Sequence, residues 1–307
     1  MGRLGGPALA RRRSAAARAA RAEEKRLSAE RGRFLDDARE MTPFVAVESD
    51  GAVFLLPTHE KGGRDRFAKP RARWKDRRHL DRALEALDRL EIPAERTTFV
   101  DVGAHIGTTA IGAARWFGFR SVVAIEPGPE NLRLLRANVA VNDLGESVAV
   151  VDAAVADRIG VEELVVRRGF GTKHRLAGPR DAGKETVTVP VTSLDGLSAS
   201  GAIDPACVGM LWLDVEGHEL EVLRGAGTVL EGAPPIVMEF SHRALRKGRM
   251  ESLESLLAER YTHVLDLRDS LAEPPVPRPL TALPEIAKRH KHGFTDVLVF
   301  ELERRAA

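Results

Sequence analysis

From residue 97 onward the sequence alternates short apolar runs with longer amphipathic stretches, and this pattern constrains the fold more than any other feature. The runs have the length of buried strands and lie at residues 98–102, 121–126, 147–152, 209–215, 235–240 and 295–301. Apolar residues at helical spacing separate them near residues 107–117, 129–141, 218–230 and 250–260. Strands that are apolar on both faces and alternate with helices are typical of a mostly parallel sheet covered by helices on both faces. We therefore predict an α/β fold whose ligands bind at the carboxyl ends of the strands.

One insertion interrupts this alternation. Residues 161–167 and 186–191 have the pattern of an antiparallel pair of strands, and the loop between them is longer than 15 residues and rich in Gly, Lys and Arg. Long loops inside a compact domain are often functional, although plain disorder is an equal alternative here. We expect the loop to close over an acceptor molecule, with Lys173, His174 and Arg175 facing that substrate.

The N-terminal part differs in composition from the rest. Residues 1–40 are almost wholly Arg, Ala and Glu, which favour a helix but give it no apolar stripe to bury. We expect a solvated helical tail, and contact with nucleic acid or another anionic surface is the alternative. Two apolar runs around Asp50-Gly51 predict a hairpin over residues 44–57, and a helix is predicted over residues 80–90. The predicted organisation is an extension (1–40), a hairpin and helix that pack on the core (41–96) and a main domain (97–302).

Composition excludes several classes of protein. The chain of 307 residues has one cysteine, Cys207, so no intrachain disulfide is possible. No stretch of about 18 residues is free of charge, and the N-terminus lacks the apolar segment of a signal peptide. The net charge of +2 does not favour nucleic acid as a partner. We expect a cytoplasmic protein without membrane insertion, and the oligomeric state is left open.

The first predicted strand ends in the glycine turn "DVGAHIG". Gly103 and Gly107 lack side chains where the strand gives way to a helix, so a ligand can approach the main chain there. His105 lies between them, and the D-x-G-x-H-x-G spacing does not match the G-x-G-x-x-G pattern of NAD sites. Asp101 can hold a cationic amine, which the methionine part of S-adenosylmethionine supplies and a pyrophosphate does not. These residues therefore predict a site for that sulfonium cofactor.

Acidic residues end the next two strands as well. Glu126 lies 25 residues after Asp101, where a carboxylate can accept hydrogen bonds from ribose hydroxyls. Asp152 ends the third strand, where an acceptor can meet the adenine amino group. A glycine turn followed by acids on successive strands is much more specific than any one of these residues alone, and it predicts a nucleoside cofactor.

The segment "DVEGHE", residues 214–219, ends the fourth strand. Asp214 and Glu216 share one face of that strand, and His218 follows in the first turn of the next helix. Imidazole is suited to proton transfer near neutral pH, so His218 is our candidate for the base that deprotonates an acceptor hydroxyl, with Asp214 and Glu216 as alternatives. The helix N-terminus lowers the pKa of His218 while neighbouring carboxylates raise it, and the sequence does not decide between them. Glu219 is interpreted as favouring the helix N-terminus through its dipole.

Further polar residues border the same cleft. Glu239 and His242 end the fifth predicted strand, and both are candidate substrate contacts. Acids and histidines of this cleft could ligate a metal, but their spacing matches no metal motif, and no metal site is predicted. The other histidines are expected at the surface: His59, His79, His263, His290 and His292.

Five segments carry a resemblance to a known family: "FVDVGAHIGTTA" (99–110), "AIEPGPENLRLLRANV" (124–139), "VTSLDGL" (191–197), "LWLDVEGHELEVLRGA" (211–226) and "PPIVMEF" (234–240). They resemble the FkbM-type S-adenosylmethionine-dependent methyltransferases, which usually have Asn where this chain has His105. The resemblance implies a Rossmann-like class I methyltransferase fold and methyl transfer to a hydroxyl oxygen of a sugar or another small metabolite. It does not extend to residues 1–40.

Other functions stay open. A nicotinamide-dependent oxidoreductase would need a glycine pattern that the chain lacks. A non-catalytic module that binds a nucleoside cofactor is a second alternative. An RNA methyltransferase is the third, supported by the basic segment 64–78, in which Phe67 and Trp74 interleave with Lys and Arg.

Overall fold

The computed structural model describes residues 7–59, 75–92, 97–166, 174–179, 181–240, 248–268, 276–290 and 293–302. The chain divides into two compact units, residues 1–75 and residues 76–307. Each unit has secondary structure of its own, and the larger one contains the predicted main domain.

A single long helix, α1 (Pro7–Met41), opens the smaller unit. Its described side chains are mostly exposed up to about residue 33, as predicted for a solvated tail. Leu35 and Ala38 are buried, however, and the helix contacts the strand that follows it. The prediction is therefore wrong for the last two turns, because those two apolar residues are enough to bind the helix end to the hairpin.

The predicted hairpin follows α1. Strands β1 (Phe44–Ser49) and β2 (Ala52–Pro57) pair in antiparallel register along their whole length. Asp50 and Gly51 form the two-residue turn and both have positive φ, which is the backbone geometry that favours Asp-Gly at this place. The hairpin prediction is confirmed.

An eight-stranded sheet forms the centre of the larger unit. Its strands are β3 (Thr98–Val102), β4 (Ser121–Ile125), β5 (Val148–Val151), β10 (Val208–Leu213), β11 (Ile236–Phe240), β12 (His263–Asp266), β13 (Arg278–Pro279) and β14 (Thr295–Phe300). Their order across the sheet is β13-β12-β14-β11-β10-β3-β4-β5. The five strands from β11 to β5 are parallel, and β14 is antiparallel to both of its neighbours. The mostly parallel sheet is confirmed, and every predicted strand is present with ends shifted by at most two residues.

Helices pack against this sheet: α2 (Lys75–Arg89), α3 (Thr108–Trp116), α4 (Pro129–Val141), α5 (Leu194–Ala199), α6 (Glu219–Arg224), α7 (Gly227–Leu230), α8 (Arg249–Ala258) and α9 (Leu283–Arg289). Side chains of α5 to α9 form one buried cluster with Val100 and Val102 of β3. Phe99 points to the opposite face, since side chains alternate along a strand, and it packs on Phe119 with ring centroids 5.0 Å apart. The protein therefore has the predicted α/β fold.

The helix predicted over residues 218–230 is divided into α6 and α7, which corrects that prediction. The break lies at Gly225, where a Cβ atom would overlap the carbonyl oxygen of Ala156. Asp195 then starts α7, because its carboxylate accepts hydrogen bonds of 3.0 and 2.8 Å from the first two amides of that helix.

A second sheet is inserted after β5. Its strands are β6 (Ala154–Val155), β7 (Gly160–Val165), β8 (Arg175–Leu176) and β9 (Thr186–Thr192), in the order β6-β9-β7-β8. Strands β7 and β9 are antiparallel, as predicted. Residues 167–173 and 180 of the predicted long loop lie outside the described residues.

The topology identifies one edge of the large sheet as the place for a ligand. The chain runs outward from β3 through β4 to β5 and then returns to β10 on the other side of β3. This reversal is the switch point at which open α/β sheets bind ligands, just beyond the carboxyl ends of their strands.

Candidate functional site at the switch point

The loops after β3 and β10 meet at the switch point. Gly103, after β3, has φ +88°, and a Cβ atom there would overlap the carbonyl oxygen of Asp214. The amide of Asp214 donates to the carbonyl of Val102 at 3.0 Å, and the amide of Gly103 donates to that of Ile125 at 2.9 Å. The space left by the missing side chain is therefore occupied by protein main chain, whereas the sequence interpretation gave it to a ligand. Gly103 shapes the loop through these contacts.

Contacts within the protein also explain why residue 107 is glycine. Its φ is +89°, it immediately precedes α3, and a Cβ atom would lie 2.6 Å from Cδ1 of Leu135 on α4. Only glycine gives this combination of a left-handed turn and close packing between the two helices. Direct contact of Gly107 with a cofactor stays a prediction.

His105 lies between these glycines in a left-handed conformation, with φ +52°. His and Asn are both enriched among non-glycine residues in this region of the Ramachandran map, so the exchange of Asn for His105 keeps the backbone shape. Its amide donates to Oε2 of Glu126 at 2.9 Å. The main chain of the glycine turn is thereby held by the acid at the end of the next strand.

Glu126 is buried and joins three segments. Its Oε1 atom accepts from the amide of Gly128 at 2.8 Å and from Nδ2 of Asn131, in the first turn of α4, at 3.2 Å. Burial raises the pKa of Glu126, and the hydrogen bonds from Gly128, Asn131 and His105 oppose this effect. Any ribose hydroxyl bound here would share the carboxylate with main-chain amides. The sequence analysis did not include Asn131, although it stands five residues after Glu126 at a helix start.

The other two predicted cofactor acids differ in exposure. Asp152 follows β5 with its side chain 51% exposed, and it lies 3.6 Å from Arg136. Its contact with adenine stays a prediction. Asp101 is buried within β3, beside Trp212 and Ala124 on the neighbouring strands. Its contact with a cationic amine stays a prediction.

The loop after β10 carries the acid–histidine cluster. Glu216 and Gly217 both have positive φ, +51° and +95°, and non-glycine residues in such conformations are concentrated at functional sites. His218 precedes α6 and is half-buried. Among the described residues, its Nδ1 atom is buried and has no hydrogen-bond partner. The cluster therefore presents a half-buried imidazole, whose Nδ1 atom is buried, beside a strained main chain.

The electrostatic surroundings of His218 decide the question that the sequence left open. Burial is the main effect and lowers the pKa of His218, and the positive charges of Arg249, Arg175 and Arg158 lower it further. Glu221 is the carboxylate that opposes them. The imidazole is therefore neutral at pH 7 and able to accept a proton.

Glu219 is a feature that the sequence interpretation underestimated. It is buried, and burial together with the charge of Glu216 raises its pKa to about 7. Its Oε1 atom accepts from the amide of Gly217 at 3.1 Å. A carboxyl group that titrates near neutral pH in a cleft is a candidate for proton transfer, which a role in the helix dipole alone does not explain.

Arg249, the first residue of α8, stabilises the loop after β10. Its guanidinium group donates to both carboxylate oxygens of Glu221, at 2.5 and 2.6 Å, and to the carbonyl of Gly217 at 3.1 Å. Bidentate pairs of this kind fix orientation as well as distance. Arg249 was missed in the sequence because nothing near it in the chain indicates its partner.

The inserted sheet contributes two of the predicted substrate residues. Arg175 forms two hydrogen bonds to Asp181, of 2.7 and 2.5 Å, and Asp181 also binds Lys184. Arg175 thus holds its own loop, and its contact with a substrate stays a prediction. His174 lies instead against Gly128. Lys173 and His242 lie outside the described residues.

Glu239 lies on β11 next to Asp296 of β14. Asp296 is paired with His79 of α2 at 2.5 Å, and both side chains are buried. The prediction that His79 lies at the surface is wrong, because helix α2 packs this residue onto the sheet. His290 is likewise paired with the buried Asp266, at 2.7 Å.

A family model described as the methyltransferase FkbM domain matches residues 101–272 of the sequence. The chain belongs to the FkbM methyltransferase family. The matched range includes both loops at the switch point and the whole inserted sheet. S-adenosylmethionine, the cofactor predicted from the sequence, is therefore its methyl donor.

The chain also matches solved structures at low identity. The chain is similar to an FkbM methyltransferase from Methylobacillus flagellatus KT, at 19% identity and a TM-score of 0.41, over 66% of this chain and 43% of that one. It is similar to M. jannaschii TYW2 in complex with AdoMet, at 13% identity and a TM-score of 0.36, over 84% and 85%. A third similar structure is the StiE O-MT, at 11% identity and a TM-score of 0.41, over 81% and 80%. No curated protein matches the sequence.

Two further features are absent from the part of the chain that the structure describes. No helix there is both long and apolar enough to cross a bilayer. No group of three His, Cys, Asp or Glu side chains there is arranged to hold a metal ion.

Proposed function

We propose that this FkbM-family protein transfers the methyl group of S-adenosylmethionine to a hydroxyl group of a sugar or another small metabolite. The observation that carries the proposal is the meeting of the β3 and β10 loops through Gly103 and Asp214. This contact brings the residues that are predicted to bind the nucleoside and the imidazole of His218 to one edge of the sheet.

The residues at the β3 and β4 ends fit the cofactor. Glu126 offers a buried carboxylate between two turns, and Asp152 offers an exposed one at the next strand. Asp101 adds an acid for the amino group. When bound, the cofactor supplies a methyl group on a positively charged sulfur, which makes that carbon open to attack.

The residues of the β10 loop fit the acceptor side of the reaction. An alcohol becomes a good nucleophile only when its proton has an acceptor, and His218 is neutral and able to take that proton. Glu219, with its pKa near 7, is a second group of this loop that can be protonated or ionised near neutral pH. Holding the acceptor oxygen about 3 Å from the methyl carbon supplies much of the rate acceleration.

Purified protein should bind S-adenosylhomocysteine, with a rise in melting temperature, and should show no such rise with NAD. Transfer of radiolabelled methyl from S-adenosylmethionine is then measured on a panel of small hydroxyl compounds, with total RNA as a parallel acceptor. Labelling of RNA alone would replace the small-molecule proposal with the RNA alternative. If the protein binds S-adenosylhomocysteine but transfers methyl groups to none of the acceptors, the non-catalytic module is favoured.

A further inference from the structure

We infer that His174 of the inserted sheet is a cofactor contact that completes the nucleoside pocket, and that Gly128 is glycine because the imidazole packs against it. The inference rests on the proposed function, since it names a further residue for the same cofactor. It also moves His174 from the acceptor, where the sequence analysis placed it, to the nucleoside.

The contact between the two residues is close. A Cβ atom on Gly128 would overlap Nδ1 of His174 and lie 3.1 Å from its Cε1 atom. The same Cβ atom would lie 2.7 Å from Oε1 of Glu126. Imidazole and carboxylate therefore flank one glycine. Any side chain at position 128 would displace at least one of them.

Asn131 connects the two groups from the other side. Its Nδ2 atom is 3.2 Å from Oε1 of Glu126 and 3.4 Å from Nδ1 of His174. The imidazole thus belongs to the set of polar atoms around the acid that is predicted to bind the ribose. A ribose hydroxyl that reaches this acid from the cleft comes to lie beside the imidazole.

The position of His174 is fixed by the fold of the insertion. It immediately precedes β8, which pairs with β7 through Leu176 and Arg175. Asp181, almost fully buried, binds Arg175, Lys184 and the amide of Gly178. These hydrogen bonds hold the pKa of Asp181 far below its usual range, so the carboxylate is ionised at all physiological pH values. His174 is therefore presented to the pocket by a braced segment.

The charge of Arg175 also lowers the pKa of His218. The segment that carries His174 is thus within electrostatic range of the β10 loop while His174 itself is at the end of β4. The segment therefore places His174 next to the loop of Glu126 and a positive charge within electrostatic range of the proposed base. This placement is what a residue that covers the nucleoside next to the reacting centre requires.

Calorimetry with two ligands tests the inference. His174→Ala should weaken S-adenosylhomocysteine about 5- to 20-fold, the scale of one lost polar contact, and should weaken 5′-methylthioadenosine by the same factor because the contact is to the nucleoside. The melting temperature of the free protein should not change. Gly128→Ala should weaken binding at least as much, because its Cβ atom displaces the imidazole and also crowds Oε1 of Glu126, and adding His174→Ala to it should cause no further loss, since the imidazole is already displaced. Gly145→Ala, where a Cβ atom meets nothing within 4 Å, is the matched control.

The outcomes separate this inference from the function on which it rests. Unchanged or tighter binding by His174→Ala, with normal binding by the wild type, would overturn the inference and leave the proposed function standing. Additive losses in the double variant would overturn the link between His174 and Gly128. Absence of S-adenosylhomocysteine binding by the wild type would overturn the proposed function and this inference with it.

Discussion

The carbonyl oxygen of Asp214 occupies the space that a side chain on Gly103 would need. Two segments more than 100 residues apart in the sequence thereby pack closely against each other at Gly103, at the switch point of the sheet. Because the main chain of the β10 loop depends on this contact, the geometry of the proposed catalytic cluster depends on a residue in the cofactor loop.

Gly103→Ala should therefore destabilise the protein strongly. The left-handed backbone alone costs a non-glycine residue about 1–2 kcal/mol, and the overlap with Asp214 should add roughly 1–3 kcal/mol more. Gly118→Ala is the matched control, since Gly118 has φ +72° with nothing within 4 Å of a Cβ atom. Urea unfolding measures both variants. Equal losses of unfolding free energy in the two would show that the overlap does not matter.

Glu126→Ala should weaken S-adenosylhomocysteine by roughly 1.5–3 kcal/mol, the worth of hydrogen bonds to a charged acceptor. The variant should also lose stability, because the amides of His105 and Gly128 lose their acceptor. Calorimetry gives the affinity and urea unfolding gives the stability. The exposed Glu146→Ala should change neither. An intact affinity in a folded Glu126→Ala protein would mean that the ribose binds elsewhere.

His218→Asn should lower turnover by roughly 100- to 10,000-fold, as expected for the loss of a general base. Affinity for S-adenosylhomocysteine should stay within a few-fold of the wild type. Since burial lowers the pKa of His218, wild-type activity should persist below pH 6.5 and decline only as the imidazole becomes protonated. Rates of methyl transfer between pH 5 and 9 provide the measurement, with the exposed His59→Asn as control. A loss of less than tenfold would transfer the role to Asp214, Glu216 or Glu219.

Glu219 should make stability depend on pH. Its carboxyl keeps a proton in the folded protein up to about pH 7, whereas an unfolded chain loses it near pH 4.3. The folded state therefore binds more protons in this window, and the free energy of unfolding falls as pH rises, by roughly 3 kcal/mol in total from this group.

Glu219→Gln should remove the part of the pH dependence of the unfolding free energy that comes from this carboxyl group. Urea unfolding at pH 5 and pH 8 should show a smaller difference for the variant than for the wild type, because Gln resembles the protonated acid at both pH values. The exposed Glu231→Gln should keep the wild-type difference. If the unfolding free energies of wild type and Glu219→Gln change equally between pH 5 and pH 8, this carboxyl group titrates at its ordinary pKa.

The sequence predicted the parallel strands well because each is a continuous apolar run with its own turn signals. It did not predict β12, whose residues include His263 and Asp266 and which becomes a strand by pairing with β14. The burial of His79 was missed for the same reason, since its partner Asp296 lies more than 200 residues along the chain. Contacts of this length have no local signature.

In the candidate site, too, residues with a local sequence pattern could be predicted, and residues whose role depends on distant contacts could not. Glu126, Asp152 and His218 could be named because each follows a recognisable strand. Their partners could not, since the roles of Arg249 and Asn131 depend on helices packed from elsewhere. The packing of Gly103 against Asp214 was missed in the sequence interpretation, because close approach of protein main chain and close approach of a ligand require the same residue.

The close packing of Gly225 against Ala156 links two parts of the proposed site. Gly225 ends α6, the helix that starts beside His218, and Ala156 lies at the base of the inserted sheet, which carries His174 farther along. Because the carbonyl oxygen of Ala156 fills the space that a side chain at position 225 would need, any larger residue there would separate the base of the inserted sheet from the C-terminal end of α6. One glycine therefore sets the spacing between the segment that leads to His174 and the helix that starts beside His218.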